Sequence, residues 1–364
     1  MKTSIILETK IEGENIEASI GDDKQIKWLI EGMLPKGHRG MIANCEGGCK
    51  TTLLCWIAVR VALGLNVFSM GVEQGPVLMI DEETPKQSLE MKIYRFCLDA
   101  GLESRHKIKH LEVRSCCGFR FARANTEVIE LIKEMKPALI TIDTLLACLP
   151  SGRQGKGENN AETGIAVRDD LNRIQQASPD SAILMAAHSA KPIMYFEIED
   201  YRAAEMQALV RGHGSIVGEA CDTGFGVTKL SQYPDPLRFA IIPKARREAI
   251  PMKETFVEMV EDSYGKGKAR LIKIPPVIPI PSKPAIDIFS LFMDGQEEWG
   301  VRDIYQKAQG LYMPQEIRLG LEQLRRRKVI VATKDHFTFT LNPKDREQAN
   351  PKYVEQLLEG QHTV

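Results

Sequence analysis

Residues 38–57 read HRGMIANCEGGCKTTLLCWI, and this stretch decides how the rest of the chain is interpreted. The short apolar segment from Met41 to Ala43 is typical of a buried strand. A turn with two glycines follows it, and then come Lys50 and Thr51. The apolar residues from Leu53 onward predict a helix that begins at this pair. The stretch therefore predicts a strand, a loop and a helix, with a lysine and a threonine at the start of the helix.

This layout is that of a phosphate-binding loop (P-loop), in which backbone amides hold phosphates, a lysine reaches the β and γ oxygens and a hydroxyl binds Mg²⁺. The general pattern GxxxxGK(S/T) has glycines where this chain has Asn44 and Cys49. A left-handed backbone at position 49 would therefore cost on the order of 1–2 kcal/mol. An ordinary strand-to-helix turn is the alternative. The predicted nucleotide-binding residues are Cys45, Glu46, Gly47, Gly48, Cys49, Lys50, Thr51 and Thr52.

Composition limits the class of protein. The 364 residues are 43% apolar and 27% charged, which is typical of a globular chain with one large domain and one small domain. The net charge of −1 excludes a general attraction to nucleic acid, so a DNA site would have to be local.

No apolar run is long enough for a membrane helix, and the N-terminus turns acidic too early for a signal peptide, so we expect a cytoplasmic protein without a membrane partner. The eight cysteines complete no zinc-binding pattern and are predicted to be free, mostly buried thiols.

Apolar strands alternate with amphipathic helices between residues 76 and 242, which predicts an α/β fold with a mainly parallel sheet. The strand from Pro76 to Asp81 runs into Glu82 and Glu83, and the strand in PALITIDTL ends at Asp143. Carboxylates at these strand ends would lie beside the P-loop crevice. Asp143 and Thr51 are therefore predicted to hold Mg²⁺, with a helix cap as the alternative role of Asp143.

Three further features lie at the same predicted edge of the sheet. His188 follows the strand in AILMAAHSAKP and is predicted to sense the γ-phosphate, although a lone histidine is more often structural. Residues 151–164 and 191–210 are predicted insertions, for which a solvated loop without function is the alternative. Lys244 and Arg246 follow a late strand, where cations suit phosphate.

From Trp28 to Pro251 the chain resembles the RecA-like ATPases of the hexameric helicase type, most closely the RepA-like plasmid replicative helicases and, in its second half, the DnaB-like helicases. LMIDEE and ITIDTL resemble the family's second strand and Walker B strand. AAHSAK resembles a segment with paired histidines, of which only His188 is present. VRGHGSI, with Arg211, Gly214 and Ser215, and the KAR segment resemble two later motifs.

This resemblance implies roles for individual residues. Glu83 would orient the attacking water, and Lys244 and Arg246 would reach the nucleotide site of a neighbouring subunit. The two insertions would face a central channel for single-stranded DNA. The implied DNA contacts there are Arg153, Lys156, Lys191 and Arg202.

The C-terminal part has its own pattern. Residues 268–284 contain five prolines and predict a semi-rigid linker. Short helical segments and a closing strand over 285–345 resemble a winged-helix domain. A helix-turn-helix interpretation places Arg318 toward duplex DNA, whereas a protein-binding module with a solvated basic run is the alternative. The basic run is Arg325, Arg326, Arg327 and Lys328.

The sequence therefore predicts five segments. They are an N-terminal segment (1–27), a RecA-like ATPase domain (28–267), the linker (268–284), a winged-helix domain (285–345) and a tail (346–364). The predicted activity is ATP- and Mg²⁺-dependent helicase or translocase action by a homo-oligomer, expected to be a hexamer. The alternatives are a DNA-binding regulator without motor activity, a retained but inactive nucleotide site, and a recombinase related to the RadA type.

Overall fold

The computed structural model describes most of residues 26–341 in separate ranges. These are 26–44, 49–102, 108–121, 125–149, 161–189, 202, 209–210, 220–230, 236–245, 251–261, 269–275, 287–288, 291–292, 298–314, 317–318, 320–321, 324, 330–332 and 338–341. The chain divides into two compact units, residues 1–275 and residues 276–364. No helix in these ranges is both long and apolar enough to cross a lipid bilayer.

The first unit begins with strands, continues with helices and strands in alternation, and ends with strands. Its strands are β1 (Trp28–Ile30), β2 (Leu34–Pro35), β3 (Arg39–Asn44), β4 (Val77–Asp81), β5 (Leu111–Ser115), β6 (Leu139–Asp143), β7 (Ala182–His188), β8 (Thr223–Lys229), β9 (Arg238–Ala245), β10 (Thr255–Glu261) and β11 (Ala269–Ile274). Its helices are α1 (Lys50–Leu63), α2 (Lys86–Asp99), α3 (Thr126–Met135) and α4 (Ala161–Ala177).

A nine-stranded sheet organises this unit, with strand order β11-β10-β9-β8-β3-β7-β6-β4-β5. All neighbouring pairs from β8 to β5 are parallel, and β9, β10 and β11 extend the sheet as antiparallel strands. Strands β1 and β2 form a separate hairpin. The predicted α/β class with a mainly parallel sheet is confirmed, and the arrangement is consistent with a RecA-like core.

The apolar character of the central strands explains why they lie at the centre. Strands β4 and β6 are buried along their whole length, as expected for parallel strands that are covered on both faces. Helix α1 has buried residues around most of its circumference, among them Leu54, Trp56 and Ile57, which is typical of a helix enclosed by the core. Gly64 ends α1 in the left-handed conformation, which is typical of a glycine at the end of a helix.

Two boundaries differ from the sequence prediction. Helix α4 begins at Ala161, inside the predicted insertion 151–164. Residues 269–274 lie in β11, although the sequence prediction places them in the linker. Ala269 and Leu271 are buried and pair with β10, whereas the intervening Arg270 is exposed. This alternation is typical of a strand, and the proline-rich composition that suggests a linker begins only at Pro275.

The second unit has a small mixed architecture. Its sheet has the antiparallel order β12-β14-β13, formed by β12 (Glu298–Gly300), β13 (Ile330–Ala332) and β14 (Thr338–Leu341). Helix α5 (Val301–Ala308) follows β12 directly. Helical residues also lie at 287–292 and 314–324 within the described positions. Their core is formed by Ile288, Phe292, Trp299, Ile304, Ala308, Ile317, Leu321, Leu324 and Ile330.

Candidate functional site

The turn between β3 and α1 places a strained residue directly before Lys50. Cys49 has φ 65° and ψ 18°, which is the left-handed conformation, and its side chain makes no capping hydrogen bond. The general P-loop pattern has glycine at this position, where a left-handed backbone carries no steric penalty. The backbone therefore follows the path of a P-loop at Cys49 although the side chain departs from the pattern. The predicted residues Cys45, Glu46, Gly47 and Gly48 lie outside the described residues.

Lys50 begins helix α1 and is almost completely buried. Its Nζ donates to the carbonyl of Asn44 at 3.3 Å and lies 3.4 Å from Nδ1 of His188. Asn44 and His188 are register partners at the ends of the parallel strands β3 and β7. The strand pairing therefore brings the lysine and the histidine together. Thr51 and Thr52 lie in the first turn of α1 and are partly buried.

Asp143 ends strand β6 with a buried and under-satisfied carboxylate. Neither of its oxygens accepts a hydrogen bond of normal geometry from the described residues. Burial raises the pKa of Asp143 to about 7, and the Thr51 hydroxyl, close enough to lower this pKa, offsets burial only in part. Asp81, Glu83 and Lys50 also act on this pKa, the two acids raising it and the lysine lowering it. A buried carboxylate of this kind, close to a hydroxyl, fits the oxygen ligands that Mg²⁺ prefers.

Asp81 is the register partner of Asp143 at the end of β4 and is also buried. Its Oδ1 accepts the backbone N–H groups of Glu83 at 2.9 Å and Thr84 at 2.6 Å, which closes the turn after the strand. Burial raises the pKa of Asp81 despite these hydrogen bonds. Asp81 therefore shapes the acidic turn from residue 81 to 84.

Glu83 points from this turn toward the histidine. Its Oε2 lies 3.7 Å from Nε2 of His188, and the Glu83 side chain is half exposed while that of His188 is 18% exposed. The two nitrogens of His188 therefore face Glu83 on one side and Lys50 on the other. Lys50, His188 and Glu83 form a continuous row beside the carboxylate of Asp143.

This row of side chains lies within the part of the chain that matches a known family. The AAA_25 family model, described as an AAA domain, matches residues 8–194, which is just over half of the chain. The chain belongs to the AAA domain family AAA_25. No curated protein matches the chain. Lys50, Glu83, Asp143 and His188 all lie within the matched residues, and the match supports an ATPase domain of the P-loop type in the first unit.

Lys244 lies beyond the matched part of the AAA domain, in strand β9, and belongs to a second polar cluster. Its Nζ donates to the backbone carbonyl of Arg202 at 2.7 Å. The guanidinium of Arg202 donates to both carboxylate oxygens of Glu254 at 2.9 Å. The ion pair with Glu254 reduces the positive charge that Arg202 can offer to a DNA backbone, so its predicted contact would require the pair to open. Arg246, the predicted companion of Lys244, lies outside the described residues.

The structure places only part of the predicted DNA-contacting set. Arg318 is exposed in the second unit. The remaining candidates, and the motif residues around VRGHGSI, lie outside the described ranges; they are Arg153, Lys156, Lys191, Arg211, Gly214, Ser215, Arg325, Arg326, Arg327 and Lys328.

Seven cysteines lie among the described residues, and these seven form no disulfide bond. Cys55, Cys148 and Cys221 are buried as the composition predicts, whereas Cys116 and Cys117 are exposed. Cys116 and Cys117 follow β5, where the chain contacts the acidic turn and does not enter the core.

The sequence did not predict the ion pairs of Glu82 with Arg120 and of Arg202 with Glu254. Glu82 is visible in the sequence as one of three consecutive acids, but nothing in its neighbours identifies Arg120 as its partner. Glu254 lies in a segment without a recognisable motif. Both ion pairs join residues that are far apart in the chain, so only folding reveals them.

Proposed function

We propose that the protein is an ATP-hydrolysing oligomeric motor that acts on DNA as a helicase or translocase in a replication system. The observation that carries the proposal is the row of Lys50, His188 and Glu83 beside the buried carboxylate of Asp143. This arrangement contains a cation for the phosphates, a carboxylate for the metal and a second carboxylate for water. A phosphoryl-transfer site needs these three groups.

Each residue has a defined task in this proposal. Lys50 would leave the Asn44 carbonyl and bind the β- and γ-phosphates. Asp143 and Thr51 would hold Mg²⁺, which neutralises phosphate charge when bound. Glu83 would orient the attacking water, and His188, lying between Glu83 and Lys50, would respond to the presence of the γ-phosphate.

The contribution of a neighbouring subunit is a separate part of the proposal. Lys244 and Arg246 would approach the γ-phosphate of the adjacent subunit and stabilise the charge that develops there, an effect worth about 10³ or more in rate. The contact of Lys244 with the Arg202 carbonyl supports a link between this cation and the insertion 191–210. If each subunit supplies these cations to the site of the next one, the subunits would form a closed ring, which we expect to be a hexamer.

The second unit supports an action on DNA. Helical residues, β12, α5, further helical residues, β13 and β14 follow one another, and β14 lies between the other two strands. This order is the one found in winged-helix domains, and an exposed Arg318 on the later helical segment suits a phosphate or base contact. The same order favours, as a second candidate, a nucleotide-dependent DNA-binding regulator without motor activity.

ATP turnover measured with and without single-stranded DNA tests the proposal. We expect wild-type turnover to rise with single-stranded DNA and to fall at least about 100-fold in Lys50→Ala and Glu83→Gln. Glu112→Gln is the matched control, because Glu112 lies in β5 of the same sheet with its side chain 42% exposed and paired with Arg114. Wild-type protein without ATP turnover would contradict catalysis. If single-stranded DNA does not raise ATP turnover and the protein binds duplex DNA tightly, the second candidate, a DNA-binding regulator without motor activity, would be favoured.

Mixing two inactive variants tests the shared site. Lys244→Ala and Glu83→Gln each lack one side chain of the proposed composite site. A mixed oligomer would contain some interfaces where both side chains are intact, so we expect the mixture to recover turnover that neither variant has alone. Strictly additive activity of the mixture would contradict a contribution from the neighbouring subunit.

A further inference from the structure

Glu82 is a carboxylate that is buried beside the proposed active site without facing it. Its side chain is only 2% exposed, while that of the next residue, Glu83, is 50% exposed. Burying a carboxylate is costly unless hydrogen bonds and an opposite charge compensate it. The surroundings of Glu82 therefore have to supply several donors.

The donors all come from the segment that follows β5. Oε1 accepts the N–H of Phe119 at 3.1 Å and the thiol of Cys117 at 3.2 Å. Oε2 accepts the N–H of Gly118 at 3.2 Å and a guanidinium N–H of Arg120 at 2.7 Å. Burial acts to raise the pKa of Glu82, but the hydrogen bonds, led by that of Arg120, outweigh it and the net pKa is lowered. Glu82 therefore stays charged and is held at both oxygens.

The backbone around Glu82 is fixed from the other side as well. The N–H of Glu82 donates to the carbonyl of Asp143 at 2.7 Å, and Oδ1 of Asp81 holds the N–H groups of Glu83 and Thr84. The acidic turn is thus tied to β6 by its backbone. It is tied to the end of β5 and the segment after it by the Glu82 carboxylate and by two carbonyls: that of Asp81 accepts the N–H of Cys116 at 2.7 Å, and that of Thr84 accepts the Ser115 hydroxyl at 2.8 Å. Among the side chains of Asp81, Glu82 and Glu83, the one directed at His188 is that of Glu83.

We infer that Arg120 is a positioning residue, which acts through the Glu82 carboxylate to hold the acidic turn so that Glu83 faces His188 and Lys50. The inference rests on the proposed function, because it concerns the residue that would orient water. Arg120 itself does not touch the row. Removing its guanidinium leaves Glu82 buried without its cation, so the turn relaxes and Glu83 loses its direction toward His188.

Kinetics of Arg120 variants give the first test. We expect Arg120→Ala to lower kcat by about tenfold or more while KM for ATP changes by less than about threefold, because the lysine and the metal ligands stay in place. Arg120→Lys restores a cation to the carboxylate and is expected to recover most of kcat. In a Glu83→Gln background, Arg120→Ala should cause no further loss. A rise in KM with unchanged kcat, or an additional loss in that background, would overturn the inference.

Arg238→Ala is the matched control. Arg238 forms an ion pair with Glu258 between the antiparallel strands β9 and β10, so its removal breaks an arginine–glutamate pair on the opposite side of the sheet from β4. We expect Arg238→Ala to keep the wild-type kcat. An equal loss of kcat in both variants would show a general loss of fold and would contradict a specific role of Arg120.

A spectroscopic readout separates this inference from the proposed function. With isotope-labelled histidine, the ring signals of His188 can be assigned by comparison with His188→Gln. We expect Arg120→Ala to shift these signals in the nucleotide-free protein and Arg238→Ala to leave them unchanged, since Glu83 lies 3.7 Å from the ring. If the wild-type protein hydrolyses no ATP, the proposed function fails, and the positioning role is still decided by these signals. Unchanged His188 signals in Arg120→Ala would overturn it.

Discussion

Cys49 shows how a single residue can depart from a motif while its backbone keeps the motif's conformation. A non-glycine residue with φ 65° at the start of α1 carries about 1–2 kcal/mol of strain. Such strain persists where the surrounding structure fixes the backbone. Here the neighbouring Lys50 is buried and bonded to Asn44, which holds the turn in place.

We expect Cys49→Gly to raise the free energy of unfolding by about 0.5–1 kcal/mol. The relief of left-handed strain exceeds the additional backbone entropy that glycine gains in the unfolded chain. Urea denaturation without nucleotide measures the effect. Cys49→Ala is the control, because alanine keeps the strain; equal stability of the glycine and alanine variants would show that the backbone is not strained at this position.

Asp143 makes the stability of the nucleotide-free protein depend on pH. Its pKa is raised from 3.8 to about 7 in the folded chain, mainly by burial. Between these values the folded protein holds a proton that the unfolded chain has lost, so the free energy of unfolding falls as pH rises from about 4 to 7. Below about pH 4 Asp143 is protonated in the folded and in the unfolded chain, so its contribution to the free energy of unfolding is fully present.

We therefore expect Asp143→Asn to be more stable than the wild type above pH 7, by on the order of 1–3 kcal/mol, and similar to it near pH 4. Denaturation at the two pH values, without nucleotide or divalent ions, measures the difference. The exposed Asp180→Asn serves as the control and should change stability little at either pH. The stability of the wild type should decline between pH 4 and pH 7 relative to that of Asp143→Asn. If it does not, the pKa of Asp143 is not raised by burial.

At the scale of the elements, strand order determines which side chains meet. Strand β7 lies between β3 and β6, so the P-loop strand and the Asp143 strand are about 10 Å apart. His188, at the end of β7, fills the position between them. The row from Lys50 to Glu83 is therefore a consequence of the order in which these parallel strands pair.

The entry into β4 and β6 depends on a glycine. A Cβ atom on Gly75 would lie 2.5 Å from the Cβ of Ala138, just before these two strands begin. We expect Gly75→Ala to destabilise the protein by about 1–3 kcal/mol, because the two backbones must separate. Thermal unfolding compared with Gly71→Ala measures it, since a Cβ on Gly71 would meet mainly the flexible carboxylate of Glu31. Equal melting temperatures of the two variants would show that the contact is not tight.

At the scale of the whole molecule, the chain is two units with separate cores. The boundary between them lies after Pro275, eight residues later than the domain end predicted from the sequence. The difference is strand β11, which pairs with β10 over six positions and buries Ala269 and Leu271.

Two truncated chains distinguish these boundaries. A chain ending at residue 275 should fold and bind a fluorescent ATP analogue within about threefold of the full-length affinity, because the core of the first unit is intact. A chain ending at residue 267 lacks β11, so the edge of β10 loses its hydrogen-bonding partner and the core loses the buried side chains of Ala269 and Leu271. We therefore expect it to lose at least about 2 kcal/mol of stability. Titration with the fluorescent analogue measures the affinity, and circular dichroism during thermal unfolding measures the stability of the two chains. Equal stability of the two chains would contradict the contribution of β11.

The sequence by itself determined the elements and the ends of the strands that carry chemistry. The predicted alternation of apolar strands and helices is found from β4 to β7. Lys50, Glu83, Asp143 and His188 lie at or after the ends of strands whose apolar character predicts burial in a parallel sheet. These signals are local, because a few neighbouring residues decide whether a segment forms a helix or a strand. Their reliability therefore does not depend on the rest of the chain.

Only the tertiary structure decided how distant segments meet. The antiparallel extension by β10 and β11, the anchoring of Glu82 by Arg120, and the pairing of Arg202 with Glu254 join residues that local patterns cannot relate. A buried carboxylate needs donors, but any segment can supply them, so the partner is fixed by packing and not by spacing in the sequence. The sequence therefore determined which groups are present at the site, and the packing of the sheet determined which of them face one another.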